Sequence, residues 1–380
     1  MKISSVSAIE YGYPLSRPIG DVNLPQGADC AVDLAVFVHC DGGEVGQSIG
    51  HASGAPLIRR IAEVLVGSDP RSVQGLWDRM QALAFKDGAV GPVRAAIAAL
   101  DCALWDLRAK VNGVPLWREL GATDRTVPAY ASGLDMPLSD EELYSFYSRM
   151  AERGVCVGKL KVGRDPKDDA RRIKVMLEAL SSSGKLGRAI IDANEYWSPK
   201  QAVQRIAALE KEHELVWVEE PVRRSDYGGM KKVSCGIRAP VAAGENLNTP
   251  SDFVPLFVQD CADVIQLSSH VSGITGARIV AQMAATFDRP VTMNNDPGRA
   301  MAHLAAALRN HTMMEVLDAG RDVALVHHLD IEDGYIVLGD EPGSGIEFDM
   351  EFLSRHPGDG FRAGTLAARY ARGDLAGLVG

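Results

Sequence analysis

Short apolar runs alternate with longer amphipathic stretches between about residue 123 and about residue 325. Eight of these runs have the length and residue types of buried strands, and they are spaced by about 22 to 33 residues. The predicted strands are residues 127–131, 158–162, 189–192, 215–219, 241–245, 263–267, 290–293 and 313–317. Parallel strands alternating with helices predict an α/β fold of the (β/α)8 type, a modified TIM barrel.

Both ends of the chain have a different pattern. Residues 31–38 and 44–47 read as two strands joined by the turn Asp41-Gly42-Gly43, which is typical of a hairpin. Apolar residues at three- and four-residue spacing then predict a helix that ends near Asn112-Gly113. Turns and short strands return after the barrel. We therefore expect three segments: an N-terminal α+β domain (1–122), the barrel (123–325) and a C-terminal segment (326–380) that folds back onto both.

Composition and charge restrict the classes of function. The net charge of −10 and the pI near 5.4 argue against binding nucleic acid or an anionic membrane through bulk electrostatics. No apolar run approaches the ~20 residues of a membrane span, and the first residues lack the apolar core of a signal peptide. The six cysteines are scattered without a C-x-x-C pair. We expect a cytoplasmic protein with reduced thiols and a small-molecule substrate.

Three acidic residues fall at the ends of three consecutive predicted strands: Asp192, Glu219 and Glu245. Each alone is more often a surface or capping residue, but three carboxylates that meet at one barrel mouth repel each other unless a cation binds them. Carboxylate oxygens are the ligands that suit Mg²⁺. Asn194 and Asn246 are candidates for further oxygen ligands or for support of the carboxylates.

Two lysines on the second predicted strand, Lys159 and Lys161, are two residues apart and therefore point the same way. A lysine on a strand is usually exposed at a sheet edge, but a closed barrel has no edge, so both are expected to point inward. Two neighbouring cations beside a metal favour the neutral form of one of them, which lowers its pKa. A divalent cation with a basic lysine is what removal of a proton α to a carboxylate requires.

With these residues in place, the chain resembles the enolase superfamily, in particular the mandelate racemase / muconate lactonizing enzyme type. The likeness extends over nearly the whole chain, and the order and spacing of its motifs make it specific. It rests on the helix 95–110 with Asp101, Trp105 and Asp106, and on residues 113–116, 120–121, 159–163, 192–194, 218–221, 244–246 and 273–275.

The resemblance implies an α+β capping domain formed by both ends of the chain, commonly in a homo-oligomer. It implies that loops 13–27 and 50–56, which contain Arg17 and His51, close over a small carboxylate substrate. Mg²⁺ would bind Asp192, Glu219 and Glu245, Lys161 would be the base, and Lys159 would support it. Glu315, on the eighth strand, would hydrogen-bond the enolate oxygen.

The chain departs from the family pattern at strands six and seven. Residues 266–271 lack the usual aspartate or lysine, and Met293-Asn294-Asn295-Asp296 lacks the racemase histidine, although Asn294 could still contact the substrate. Only the Lys161 face is therefore clearly supplied with a base, which favours one-base elimination of water from a sugar acid or another 2-hydroxy acid. The general acid would be Lys161 itself, His270 or Asp296. A lone histidine such as His270 is more often structural, and Asp296 could equally be a helix N-cap before Pro297.

Three other functions are compatible with the sequence. A racemase or epimerase of a hydroxy, amino or imino acid would need a second base such as His270. A cycloisomerase is less well matched, because the lysine of the sixth strand is missing. A non-catalytic relative that binds a metal and a ligand would have no need of Lys161.

Overall fold

The computed structural model describes residues 1–86, 88, 90–295, 300–328, 330–365 and 368–369, with the backbone alone at 270–272. The chain begins with a three-stranded antiparallel sheet in the order β1-β2-β3. Its strands are β1 (Ile3–Ile19), β2 (Ala28–Cys40) and β3 (Val45–His51). Four helices follow: α1 (Ala55–Ala62), α2 (Val73–Leu83), α3 (Gly91–Val111) and α4 (Leu116–Glu119). This is the predicted α+β domain, with its hairpin turn at residues 41–44.

Eight parallel strands then form a closed barrel, because the eighth pairs with the first. They are β4 (Thr126–Ser132), β5 (Val157–Lys161), β6 (Arg188–Asp192), β7 (Leu215–Glu219), β8 (Val241–Ala243), β9 (Val264–Leu267), β10 (Val291–Met293) and β11 (His311–Val316). All eight predicted strands are present, so the predicted fold class is confirmed.

Seven helices connect the barrel strands: α5 (Asp140–Glu152), α6 (Pro166–Ser181), α7 (Pro199–Leu209), α8 (Tyr227–Gly236), α9 (Pro250–Val258), α10 (Ser269–Thr286) and α11 (Ala300–Ala307). Local sequence fixes several of their starts. Ser139 and Ser198 form capping boxes with Glu142 and Gln201, while Asp165 caps α6. No helix in the described part of the chain is both long and apolar enough to cross a membrane. The cytoplasmic location stays a prediction.

The barrel interior is filled by one layer of apolar side chains below its mouth. This layer consists of Tyr130, Val157, Ile190, Trp217, Ala242 and Val264. Because side chains alternate along a strand, the inward residues two positions further on are Lys159, Asp192, Glu219 and Gln266. The polar residues at the mouth of the barrel are therefore those that stand two positions after the apolar layer, which we call the apolar plug.

The C-terminal segment completes both parts of the molecule. The hairpin β12 (Asp330–Glu332) and β13 (Tyr335–Val337) extends the sheet at the start of β4, and α12 (Met350–Arg355) follows. Ile346, Phe348 and Leu353 then pack against Tyr11 and Phe37 of the N-terminal sheet. The C-terminal segment therefore contacts the N-terminal sheet, while the domain boundaries near residues 123 and 326 stay a prediction.

Helix α3 joins the N-terminal domain to the barrel through Asp101. The buried Asp101 carboxylate accepts hydrogen bonds from the backbone N–H of Thr275 at 2.8 Å and from its hydroxyl at 2.6 Å. Trp105 donates to the same hydroxyl at 2.9 Å. Gly273 has a φ of +62°, and a Cβ there would lie 2.7 Å from Asp101 Oδ2, so this close approach requires glycine.

Asp106 joins the same helix to the C-terminal segment. Its Oδ1 accepts hydrogen bonds from the backbone N–H and the hydroxyl of Ser344, both at 2.7 Å. Its Oδ2 accepts a bond from the backbone N–H of Gln47 at 2.8 Å and pairs with Lys110 at 2.7 Å. One helix therefore fixes three parts of the chain relative to each other.

Candidate active site

The three acidic residues predicted as metal ligands come together at the barrel mouth. Asp192 and Glu219 end β6 and β7 and stand opposite each other in the strand register, while Glu245 follows β8. Asp192 and Glu219 are fully buried, and Glu245 lines the cavity above them. Burial raises the pKa of Glu219 well above its usual value, and the negative charge of Asp192 raises it further. These carboxylates therefore repel each other in a site with little water.

Lys159 and Lys161 both point into this cluster, as predicted from their spacing. The Nζ atom of Lys159 lies 2.5 Å from Glu219, 3.0 Å from Glu315 and 3.4 Å from Asp192. The Nζ atom of Lys161 lies 2.5 Å from Asp192 Oδ2. The two ammonium groups are therefore held among carboxylates, with their side chains almost completely buried.

The carboxylates decide the protonation of both lysines. Burial is the largest single effect and lowers the pKa of Lys161, but the charges of Asp192, Glu219 and Glu245 together outweigh it, so the pKa lies above its usual value. The pKa of Lys159 is raised in the same way, by Glu219 and Glu315. The predicted lowering of one lysine pKa applies to the site with a cation bound to these carboxylates, and it stays a prediction.

The donor set fits a divalent cation in chemistry and in charge. Asp192, Glu219, Glu245 and Glu315 face two lysines, an excess of two negative charges if all are ionised. Within the described residues, no three acidic, histidine or cysteine side chains form a finished metal site. The reason is that Lys159 and Lys161 bind the oxygens of Asp192 and Glu219. When a cation binds, Asp192 and Glu219 would exchange contacts with the lysines for contacts with the cation.

Glu315 lies at the end of β11, beside Lys159. Its Oε2 accepts hydrogen bonds from the backbone N–H and the side-chain amide of Asn295 at 2.9 and 3.0 Å. Burial raises the pKa of Glu315, but the charges of Lys159 and Lys161 outweigh it and hold that pKa at about 2. Glu315 is therefore an anionic hydrogen-bond acceptor in this arrangement.

A cavity of about 590 Å³ opens above these groups, between the barrel mouth and the N-terminal domain. Its lining in the described part of the chain is almost entirely polar: of these sixteen residues, only Gly91 and Leu134 lack a polar side chain. The polar residues are Asp21, His51, Lys159, Lys161, Asn194, Arg224, Glu245, Asn246, Asn248, Ser268, Asn294, Asn295, Glu315 and Arg321. The cavity is therefore suited to a small ligand with many hydrogen-bonding groups.

The three predicted asparagines hold the acidic cluster or face the cavity. Asn246 donates to Glu220 at 2.9 and 3.1 Å and to Glu245 at 3.3 Å, and Asn294 donates to the other oxygen of Glu245. The Oδ1 atoms of Asn194 and Asn294 are buried without a protein partner. Both residues line the cavity with other atoms of their side chains or backbone.

The two predicted loop residues lie in different places. His51 lines the cavity and is oriented by Ser53, whose hydroxyl lies 2.7 Å from its Nδ1. Arg17 does not reach the cavity lining. Its guanidinium donates to the carbonyl oxygens of Gly133 and of Leu317 (2.7 Å for Leu317) and lies over the ring of Phe146. Its donors are used by backbone carbonyls beyond two strand ends, and the role of Arg17 as a substrate contact or as support for one stays a prediction.

The two candidates for an acid opposite Lys161 cannot be placed. Asp296 and the side chain of His270 lie outside the described residues. At the ends of β9 and β10, the structure instead places Ser268, Asn294 and Asn295 on the cavity wall. A role for His270 or Asp296 as general acid stays a prediction.

Several residues of this site were missed from the sequence, among them Asn295 and Arg321. Asn295 bridges Glu315 and Arg321, since its amide donates to Glu315 and its Oδ1 accepts from Arg321. Arg321 follows β11 by five positions and faces the cavity. Its position was a usable signal, because the loops after barrel strands carry the active sites of this fold.

Family models match both parts of the chain. Residues 31–121 match the mandelate racemase / muconate lactonizing enzyme N-terminal domain, and residues 143–352 match the enolase C-terminal domain-like model. A 3,6-anhydro-α-L-galactonate cycloisomerase of Streptomyces coelicolor is 31% identical over 80% of this chain and 84% of its own. An L-talarate/galactarate dehydratase of Salmonella typhimurium is 29% identical over 87% of this chain and 85% of its own.

A solved structure shows the same architecture. It is a racemase from Streptomyces coelicolor with bound magnesium, which superposes with a TM-score of 0.86 at 28% identity, over 93% of this chain and 99% of its own. The resemblance seen in the sequence motifs is therefore confirmed by whole-chain comparisons. The chain belongs to the mandelate racemase / muconate lactonizing enzyme family of enzymes, within the enolase superfamily.

Proposed function

We propose that this enzyme is a Mg²⁺-dependent dehydratase of sugar acids, with Lys161 as the base that removes the proton α to the carboxylate. The observation that carries this proposal is the cavity, in which a lysine and an acidic cluster form the floor and polar side chains form nearly all of the wall. An aromatic or other largely apolar acid would leave these polar groups without partners, which is costly. A polyhydroxylated acid would satisfy them.

Asp192, Glu219 and Glu245 would hold the cation. Magnesium bound in the racemase from Streptomyces coelicolor supports this assignment, together with the excess of negative charge at the mouth. When bound, Mg²⁺ supplies positive charge to the substrate carboxylate, which makes the α proton more acidic.

Lys161, Lys159 and Glu315 would each have a separate role in the reaction. Lys161, once its ammonium has lost a proton, accepts the α proton. Lys159 supplies a fixed positive charge beside the developing enediolate, and Glu315, through its bonds with Lys159 and Asn295, keeps that side of the site in place. The β-hydroxyl takes a proton from an acid and leaves as water. In a syn elimination, in which the proton and the hydroxyl leave from the same face of the substrate, this acid would be protonated Lys161. The carbon skeleton ends as a 2-keto-3-deoxy acid.

The described residues at the ends of β9 and β10 favour one-base elimination over racemisation or epimerisation. Racemisation by two bases needs a proton acceptor on each face of the substrate carbon. The described side chains at the ends of β9 and β10 are Ser268, Asn294 and Asn295, and none of these titrates near neutral pH. A second base would have to come from outside the described residues.

The similarity to the 3,6-anhydro-α-L-galactonate cycloisomerase favours a second candidate, a ring opening with the same first step. In a 3,6-anhydro sugar acid the β-substituent is the ring ether oxygen rather than a hydroxyl. Removal of the α proton by Lys161 would then break this carbon–oxygen bond and open the ring. The same residues would serve, and only the leaving group would differ.

A screen of sugar acids with Mg²⁺ tests the proposal. Aldonates, aldarates and 3,6-anhydroaldonates would be scored for 2-keto-3-deoxy products, with Lys161→Ala as the control. Solvent deuterium in recovered substrate without any keto acid would instead indicate a racemase or epimerase. The expected homo-oligomer stays a prediction.

A further inference from the structure

The described cationic side chains that line the cavity already have carboxylate partners. At the barrel mouth, Lys159 pairs with Glu219 and Lys161 pairs with Asp192. A cation bound by the acidic cluster would compensate the excess negative charge there and would meet one carboxylate of the substrate. Whether the cavity accepts a charged group at the other end of the substrate therefore depends on the lining residues farther from the barrel mouth.

Two arginines form the basic part of that lining. The Nε atom of Arg224 lies 2.5 Å from Glu195, whose side chain is 7% exposed. Arg321 pairs with Asp33 at 3.9 Å and also donates to Asn295. Asp33 is held from behind by the Tyr13 hydroxyl at 2.5 Å. Each arginine is therefore neutralised by a buried acid of its own.

Among the described residues that line this cavity, a second carboxylate would find no uncompensated cation to receive it. Burying a charge without a partner is far more costly than burying a hydrogen-bonded hydroxyl. Asp21 adds a further negative charge to the lining. Hydroxyl groups both donate and accept, so they match an arginine–aspartate pair and the neighbouring amides.

We infer that the substrate is a monocarboxylate, an aldonate or anhydroaldonate, whose uncharged distal hydroxyls are bound at the Arg321–Asp33 pair, while dicarboxylic sugar acids are disfavoured. This inference rests on the proposed function, because it places the reacting carboxylate at the acidic cluster. It makes Asp33, which lies below the cavity surface, a determinant of specificity through its effect on Arg321.

Binding of matched acids tests the inference. Dissociation constants for gluconate and glucarate, and for galactonate and galactarate, would be measured by calorimetry with Mg²⁺ present. In the wild type we expect the monoacid of at least one pair to bind about tenfold more tightly than its diacid. Equal or tighter binding of the diacid in both pairs would overturn the inference.

Two isosteric variants locate the effect. Asp33→Asn removes the charge that neutralises Arg321, and we expect the diacid-to-monoacid affinity ratio to rise about tenfold. Glu195→Gln does the same for Arg224, whose side chain is 46% exposed and farther from the proposed distal site, so a smaller rise is expected. A rise with Glu195→Gln alone would overturn the assignment to Arg321. If Asp33→Asn does not fold, the wild-type ratios decide.

Product formation is measured in the same samples. The proposed dehydration and the preference for a monocarboxylate can then be refuted independently of each other. If no acid of either class gives a 2-keto-3-deoxy product, the proposed dehydration is refuted, and the binding ratios still decide the charge of the ligand. If a diacid gives product more efficiently than its monoacid, dehydration stands and the monocarboxylate inference is refuted.

Discussion

The Nζ atom of Lys161 lies 2.5 Å from Oδ2 of Asp192, and the two residues stand opposite each other on β5 and β6. The proposed base and one proposed metal ligand are therefore joined by an ion pair. A cation that binds the Asp192 carboxylate also weakens the negative charge that raises the pKa of Lys161. Tests of the base and of the cation site must for this reason be read together.

Replacing the proposed base should abolish chemistry on the α carbon. We expect Lys161→Ala to lower kcat by about 10²- to 10⁴-fold, the usual contribution of a positioned proton acceptor, and to stop deuterium uptake at the α carbon in D₂O. Both are measured on the substrate found in the acid screen. Lys200→Ala, at an exposed residue in the first turn of α7, is the control. A kcat close to that of the wild type, or undiminished deuterium exchange, in Lys161→Ala would refute the assignment.

Magnesium should stabilise the folded chain as well as activate it. A ligand that binds only the folded state adds about 2.7 kcal/mol to the free energy of unfolding at a hundredfold excess over Kd. We therefore expect Mg²⁺ to raise Tm, and a chelator to remove both this shift and the activity. Glu219→Gln should weaken the shift, whereas Glu141→Gln, at an exposed residue of α5, should keep it. An equal shift in both variants would place the cation elsewhere.

Asp101 should make stability depend on pH. Burial raises its pKa to about 7, although its bonds with Thr275 act in the opposite direction. Since this pKa is raised in the folded state, the stabilising contribution of Asp101 is full below the unfolded pKa and is lost as pH rises towards 7. The free energy of unfolding, measured with urea, should fall by about 2 kcal/mol more in the wild type than in Asp101→Asn between pH 5 and pH 7. Parallel profiles would contradict the raised pKa.

Arg17 should matter for stability and not for substrate choice. We expect Arg17→Ala to lower the free energy of unfolding by about 2 kcal/mol, because the carbonyls of Gly133 and Leu317 lose a charged donor. Arg17→Lys should be intermediate, since an ammonium lacks the planar fork that reaches both carbonyls. The ratio of kcat/KM between two substrates should stay unchanged in both variants. A changed ratio would return Arg17 to the list of substrate contacts.

The barrel and its floor were predictable because they depend on local patterns. Strand alternation alone placed Trp217 in the apolar plug and Glu219 above it, and the same period turned Lys159 and Lys161 inward. Three acids at consecutive strand ends must meet in a closed barrel. None of these conclusions needed contacts between distant parts of the chain.

The upper wall was not predictable, because it depends on how the N-terminal domain sits on the barrel. Arg17 and Leu317 are separated by 300 residues, and no period in the sequence indicates that one donates to the other. The same holds for Arg321, which is neutralised by Asp33 of the antiparallel sheet. The pKa values of the two lysines also depend on distant parts of the chain, since the charges around the mouth come from several strands.

The hydrogen bonds between Asp106 and Ser344 impose an order on the making of the molecule, since 238 residues separate the two partners. At ordinary rates of translation, Ser344 leaves the ribosome on the order of tens of seconds after Asp106. During that time Oδ1 of Asp106 lacks the two donors of Ser344, although Oδ2 can already bind Gln47 and Lys110. The nascent N-terminal domain is therefore expected to stay open to chaperones until the end of synthesis, and chains that stop before Ser344 to be marked for degradation.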